Sequence, residues 1–371
     1  MILVEKPKVL PTKPASKSRN TDGFNTLVSF HRLAGILYLG YGPNQTLIKK
    51  TIWLAYGTAV WAIVGITNTP CMLECFLRKS EFTNIIGFYV FNTMFTIFNV
   101  CNLINALVVT VRGGDFYRLI TNLQEFTIDG KSLRKLRIGV YMYIMLSFLM
   151  MVRKVTMFNF TFDLSYPKFS GFNCLKIFED CATEVMTDST GFLLIYFSYY
   201  LTLIIVEFTQ SIRRSDAGNV DDVRRQVVRI ETMIKVANRL LNPCLLLVFT
   251  INMFILIIFC FLIHNLINIE SKFSVRVVWP LLVIYAVRMF VWCVFVDRLN
   301  QKNKEMFENI SQIPANNMEE KLNIMFILSL QQNQQTFNAS NFFNINKSLF
   351  LSVIGVSITY TLLFIQSVDK V

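Results

Sequence analysis

Long apolar runs separated by short charged stretches dominate the chain. A hydrocarbon core about 30 Å thick calls for roughly 20 predominantly apolar residues per helical crossing. Seven such runs can be placed, at 51–69, 85–111, 138–158, 185–208, 241–264, 275–296 and 347–367. A further moderately apolar stretch, 24–41, is interrupted by His31, Arg32 and glycines, and predicts an interfacial or re-entrant helix. The expected fold is an all-α membrane protein with seven transmembrane helices. Its parts are a basic tail with the interfacial helix (1–50), spans one to four (51–208), helical extensions carrying spans five and six (209–346), and span seven (347–371).

The connections also carry helical signals. From Val220 the apolar positions run Val223, Val227, Ile230, Ile234, Ala237 and Leu241, a heptad seam that feeds into span five. Arg224, Arg225, Arg229, Asp221, Asp222 and Glu231 surround the seam, so it extends into water and packs on one side only. Its partner is either the same molecule's bundle or a neighbouring subunit. Beyond span six the helix should continue through 297–310 and stop at Pro314. Asn316 or Asn317 can then cap a new helix with Glu319 and Glu320 in its first turn. A Gln/Asn-rich run after it reads as a solvated connector.

The last run is not uniformly greasy. Ser348, Ser352, Ser357, Thr359, Tyr360 and Gln366 interrupt it, and lipid satisfies none of their polar groups. Thr359 and Gln366 lie seven residues apart and share a helix face, with Leu363 between them. Such a stripe either glues helices together or lines a water-filled path. Thr359-Tyr360, five residues, then Gln366 resembles the carboxy-terminal signature of the insect gustatory receptors, and Phe342-Phe343-Asn344-Ile345 leading into the helix fits the same pattern. Ser367 replaces the family's terminal Phe.

The resemblance implies a ligand-gated, non-selective cation channel for a tastant or contact pheromone, a homo- or heterotetramer around the last helix. It also implies a cytosolic helical hub where subunits meet. The pore and gate would then involve Thr359, Tyr360, Leu363, Gln366 and Ser367, with a small organic ligand held in the outer half of the bundle.

Composition agrees with membrane residence. The chain is 53% hydrophobic and only 16% charged, with mean hydropathy +0.47, whereas soluble domains carry about 25% charged residues. A net charge of +12 would suit nucleic acid, but in a membrane protein excess Lys and Arg mark cytoplasmic loops, so no nucleic-acid partner is expected. Basic residues concentrate in the amino-terminal tail and after spans two, four and six, for example Arg112, Arg118, Lys131, Arg134, Lys135 and Arg137. That bias puts the amino terminus in the cytosol and the carboxy terminus outside. The opening residues lack the apolar core of a cleaved signal.

This orientation gives two outer loops, 70–84 with Cys71 and Cys75, and 159–184 with Cys174 and Cys181. Two bridges or free thiols are both open. Asn159-Phe160-Thr161 is a glycosylation sequon near the membrane.

Enzyme chemistry is poorly supplied. The two histidines, His31 and His264, and the lone Cys71–Cys75 pair offer no metal-ligand spacing, and there is no phosphate-binding glycine loop or nucleophile elbow. No cofactor is expected. Charges inside spans are functional candidates by default. Arg288 in span six can pair with Glu207 in span four and fix helix packing. Pocket candidates, where polar and aromatic groups mix in the outer halves, are Tyr89, Asn92, Asp188, Phe192, Tyr196 and Trp279. Two other classes remain: a seven-helix receptor coupled to cytosolic signalling proteins, which needs the opposite orientation, and a small-molecule transporter, which needs an internal duplication the chain does not show.

Overall fold

In the computed structural model the helix Ser170–Arg214, here α5, is buried on every side through most of its length. The model describes residues 26, 28–29, 31–32, 47–77, 100–101, 103–126, 128–161, 170–214, 220–268, 272–315, 317–332, 337–339 and 342–368. Around α5 stand α1 (Leu47–Leu77), α4 (Gly130–Thr161), α6 (Val220–Asn268) and α7 (Lys272–Ser311), and its contact with α7 is the most extensive in the molecule. Leu193, Leu194, Phe197, Leu201 and Ile205 are fully buried along successive turns. A helix apolar all round is one that others enclose.

The outer helices behave differently. α4 turns Ile138, Met142, Met145, Leu146, Phe148 and Leu149 outward, and α2, described over 103–111, does the same with Ile104, Leu107 and Val111. Water would not tolerate an apolar exterior of this size, and lipid requires one. Among the described residues, two stretches, Asp188–Arg213 and Val220–Ile257, are long and apolar enough to cross a membrane by themselves, with shorter apolar helices at Thr51–Val64 and Lys347–Leu363.

Parts of both expected outer loops are helical. α1 runs on to Leu77, so Cys71 and Cys75 lie in helix, and α5 begins at Ser170, which places Cys174 and Cys181 in helix too. Asn159 falls in the last turn of α4. The side chains of these five residues lie outside the description.

Span two breaks at Arg112 and resumes as α3 (Gly113–Leu123), which buries Phe116, Leu119, Ile120 and Leu123 and packs on α6. The heptad seam is one continuous helix with span five. Val220, Val227, Ile230, Ile234, Ala237 and Leu241 are all buried, against α3, α7 and α8 of the same chain. α7 likewise runs unbroken from span six to Ser311.

α8 (Met318–Gln332) starts as expected, with Asn317 Oδ1 accepting the Glu320 N–H at 2.8 Å. It is tied to α6 where Arg224 donates to Asn323 Oδ1 and Asn323 Nδ2 donates to Asp221 Oδ1, both at 2.8 Å.

Most of the Gln/Asn-rich run, 333–336, lies outside the described residues, and the segment after it is folded. β1 (Asn338–Ala339) and β2 (Phe343–Asn344) pair antiparallel, with Ala339 opposite Phe343. Phe337, Ala339 and Ile345 are fully buried, and the Asn338 N–H donates to Asn238 Oδ1 on α6 at 3.2 Å. The hairpin aims the chain into α9 (Lys347–Val368), capped by Asn346, whose Oδ1 accepts the Leu349 N–H at 2.9 Å.

Candidate ligand site and pore face

At about 100° per residue, Val353, Ser357 and Thr361 fall on one side of α9. All three are buried, against α6 and α7. The Cys260 thiol on α6 hydrogen-bonds Thr361, Phe350 meets Phe290 of α7 edge-on, and Lys347 Nζ lies 3.0 Å from Asp297 Oδ2. Diametrically opposite lie Ser348, Ser352, Gly355, Thr359 and Gln366, every one exposed on the isolated chain. Leu363 borders that stripe on one side and Tyr360 lies beyond it, toward the buried face; both are about half exposed. Ser367 is helical, and its side chain lies outside the description.

The hydroxyls on the stripe have a fixed polarity. Ser352 Oγ donates to Ser348 O at 3.0 Å and Thr359 Oγ1 donates to Gly355 O at 2.9 Å. With its single proton used inside the helix, each hydroxyl offers the outside only lone pairs. On the free face of α9, Ser352 and Thr359 therefore present acceptors, and the Gln366 amide adds both an acceptor oxygen and two N–H donors.

A second constellation sits on α5. Asp188, Phe192 and Tyr196 occupy successive turns of one face and are all buried. Asp188 forms an ion pair with Arg288 of α7, whose guanidinium also lies over the Tyr285 ring at 5.0 Å. Tyr143 of α4 stacks on Phe192 with ring centroids 3.7 Å apart, and His31, fully buried, lies 6.3 Å from the same ring. The amino-terminal segment therefore reaches into the bundle rather than skirting it. This arrangement offers aromatic walls and one paired charge, which suits a small organic molecule with a single polar group.

The expected pairing of Arg288 with Glu207 does not occur. Arg288 pairs with Asp188, and Glu207 instead accepts the Asp129 N–H at 3.4 Å, beside the α3–α4 turn. Of the six pocket candidates, three come together; Trp279 is 55% exposed and apart from them, and Tyr89 and Asn92 lie outside the described residues. Tyr143, His31 and Tyr285 were missed, because an aromatic in a span carries no signal until its neighbours are known. Among the described residues no group of His, Cys, Asp or Glu could hold a metal.

An apolar exterior, a buried central helix and an internal ion pair fit a helical membrane protein. The model of the 7tm chemosensory receptor family matches residues 24–370, and the chain belongs to that family, one of receptors rather than enzymes. Among solved structures it is similar to the insect olfactory receptor OR5 of Machilis hrabei, at TM-score 0.72 and 12% identity over 95% of this chain and 100% of that one. The same receptor in complex with eugenol is similar at TM-score 0.68 and 12% identity, with the same coverage. No curated protein matches the chain.

Proposed function

We propose that the protein is a gustatory or contact-pheromone receptor of the plasma membrane, acting as a ligand-gated, non-selective cation channel. Seven crossings with the amino terminus inside leave α3, α8 and the lower ends of α5, α6 and α7 in the cytosol. Four copies assemble around α9. The observation that carries the reading is the polar face of α9, turned directly away from its own bundle. The lone pairs of Ser352 and Thr359 and the amide oxygen of Gln366 can accept from hydrated cations. A helix that spends its polar groups on the outside of its own subunit needs water there, which lipid does not supply.

The ligand sits by Asp188, Phe192 and Tyr196, and its binding shifts a closed–open equilibrium by its difference in affinity for the two states. The complex of OR5 with eugenol, a small aromatic molecule, supports this size class. Assembly is supported by α8, whose Met318, Leu322 and Met325 lie exposed on one side, with Phe326 at its edge, opposite buried Ile324 and Ile327. That is an apolar stripe on a helix assigned to the cytosol.

The test is to express the chain alone and with related receptors, find an activating tastant or cuticular lipid under voltage clamp, and replace Gln366 by Leu and by Glu. Altered conductance or cation selectivity is expected. Unchanged permeation in a surface-expressed, responsive channel would remove α9 from the ion path.

A further inference from the structure

Proline inside a helix removes one N–H and pushes its ring against the carbonyl four residues earlier, so the carbonyl at i−4 loses its partner and the bend opens the turn around its neighbour at i−3. In α6 the proline is Pro243, and the affected carbonyls are those of Arg239 and Leu240. Both are bonded to one atom from elsewhere: Arg112 Nη1 donates to Arg239 O at 2.9 Å and to Leu240 O at 3.1 Å. Arg112 stands at the break between α2 and α3, with φ −84° and ψ 3°. Among the described residues no carboxylate pairs with it. Its charge is directed at the oxygen that Pro243 leaves open and at the neighbouring carbonyl beside the bend.

We infer that Arg112 is a positioning residue for the last helix: its guanidinium substitutes for the N–H missing at Pro243 and fixes the angle at which the membrane half of α6 meets α9. The placement gives this clamp leverage. Pro243 lies where the cytosolic seam of α6 passes into span five, immediately before Cys244, which the Thr190 hydroxyl of α5 contacts. Further along the same helix, Cys260 bonds Thr361 on the buried side of α9. A change of bend at Pro243 therefore moves the backing of α9, while the seam stays anchored through Asn238, Glu231 and Arg224. Arg112 links span two to this hinge, so displacement of span two reaches α9 through it.

The part of the inference that concerns gating rests on the channel reading above; the clamp itself does not. The experiment is a double-mutant cycle with R112A, P243A and R112A/P243A, plus R112K, on purified full-length protein. Amide hydrogen exchange around 239–248 is followed, and agonist-free cation current is recorded in the same expression cells. Charge-assisted hydrogen bonds at an otherwise unpaired carbonyl are strong enough that R112A should speed exchange in this segment about tenfold or more.

P243A restores the N–H, so R112A should have little further effect in that background, and R112K should recover part of the protection. Background current should rise in R112A and not in the double variant. If R112A fails to reach the surface, rescue by P243A carries the same meaning. Equal effects of R112A with and without Pro243 would overturn the clamp. Coupled exchange with identical currents in all variants would overturn its role in positioning the gate, and loss of every current would instead count against the channel reading.

Discussion

Gly191 of α5 and Trp292 of α7 meet so closely that the indole fills the space a β-carbon on residue 191 would need. Trp292 is among the largest fully buried side chains, and no flexible end is available to yield. This contact sets the distance between the two helices with the most extensive packing in the bundle. It lies one residue from Phe192 and three from Asp188, so the spacing of the proposed pocket depends on it. G191A should destabilise the protein by about 1–3 kcal/mol, the usual cost of overpacking a rigid core. Thermal denaturation in detergent reads it, and W292L in the same background should recover part of the loss by making room.

The ion pair between Asp188 and Arg288 gives a second outcome. Removing one member of a buried pair strands the other charge and costs about 3–5 kcal/mol. D188N should therefore abolish surface expression or lower the melting temperature sharply, and the swap D188R/R288D should recover more than either single change. E207Q should stay within about 0.5 kcal/mol of wild type, as surface substitutions do. A severe E207Q defect would contradict the pairing described here.

Much of the architecture of the helical extensions was legible because it follows local rules. The seam from Val220 to Leu241, the Asn317 cap and the continuation of span six are consequences of periodicity and capping chemistry, and each is formed. The partner of Arg288 was not legible. Asp188 and Glu207 both belong to α5, and choosing between them needs the axial offset of α7, which hydropathy does not contain. The hairpin at 338–344 escaped notice because its strands are two residues each and its stability comes from burying Phe337 and Ile345 under α6. The polar stripe on α9 was visible as a set of polar letters, but only packing revealed that Ser357 and Thr361 belong to the opposite, buried side.

That division of α9 can be tested residue by residue. Cysteines placed at Ser352, Thr359 and Gln366 should react with water-soluble thiol reagents and reduce current, while those at Val353 and Ser357 should be protected. Reaction at Val353 as fast as at Thr359 would place the wrong side of the helix in water.

Glu231 supplies a pH dependence. It is buried between α6 and α7, and burial pushes its carboxyl above the usual carboxylate value, against a hydrogen bond from Asn303 Nδ2 at 2.9 Å and the charge of Lys235, which pull it down. A carboxyl with a raised folded pKa binds its proton more tightly in the folded state. Its contribution is then most favourable below the unfolded value of about 4.5, and stability is lost as pH rises from there through the folded value. E231Q keeps the oxygen that Asn303 needs and removes the charge. Its melting temperature near neutral pH should equal or exceed wild type, and the fall in stability over the mildly acidic range should flatten. A lower melting temperature in E231Q would show that the carboxylate itself holds the interface.

The stripe on α8 makes a claim about assembly that can be separated from folding. Met318, Leu322 and Met325 point away from the helix's own packing face, where Asn323, Ile324 and Ile327 are buried and the bonds to Arg224 and Asp221 are made; Phe326, at the edge of the stripe, lies under the Arg224 guanidinium. A charge at Leu322 or Met325 therefore leaves the protomer's contacts intact and is exposed if α8 faces water. If α8 faces a sister subunit, the same charge enters an apolar contact without a partner, and interface residues at such centres cost about 2 kcal/mol or more when truncated. L322E/M325E should accordingly convert tetramers to smaller species in size-exclusion chromatography with light scattering, with the protomer's helical content unchanged. A variant that stays tetrameric would leave α8 as a solvated helix and move the assembly contact elsewhere, to α9 or to the outer face of α7.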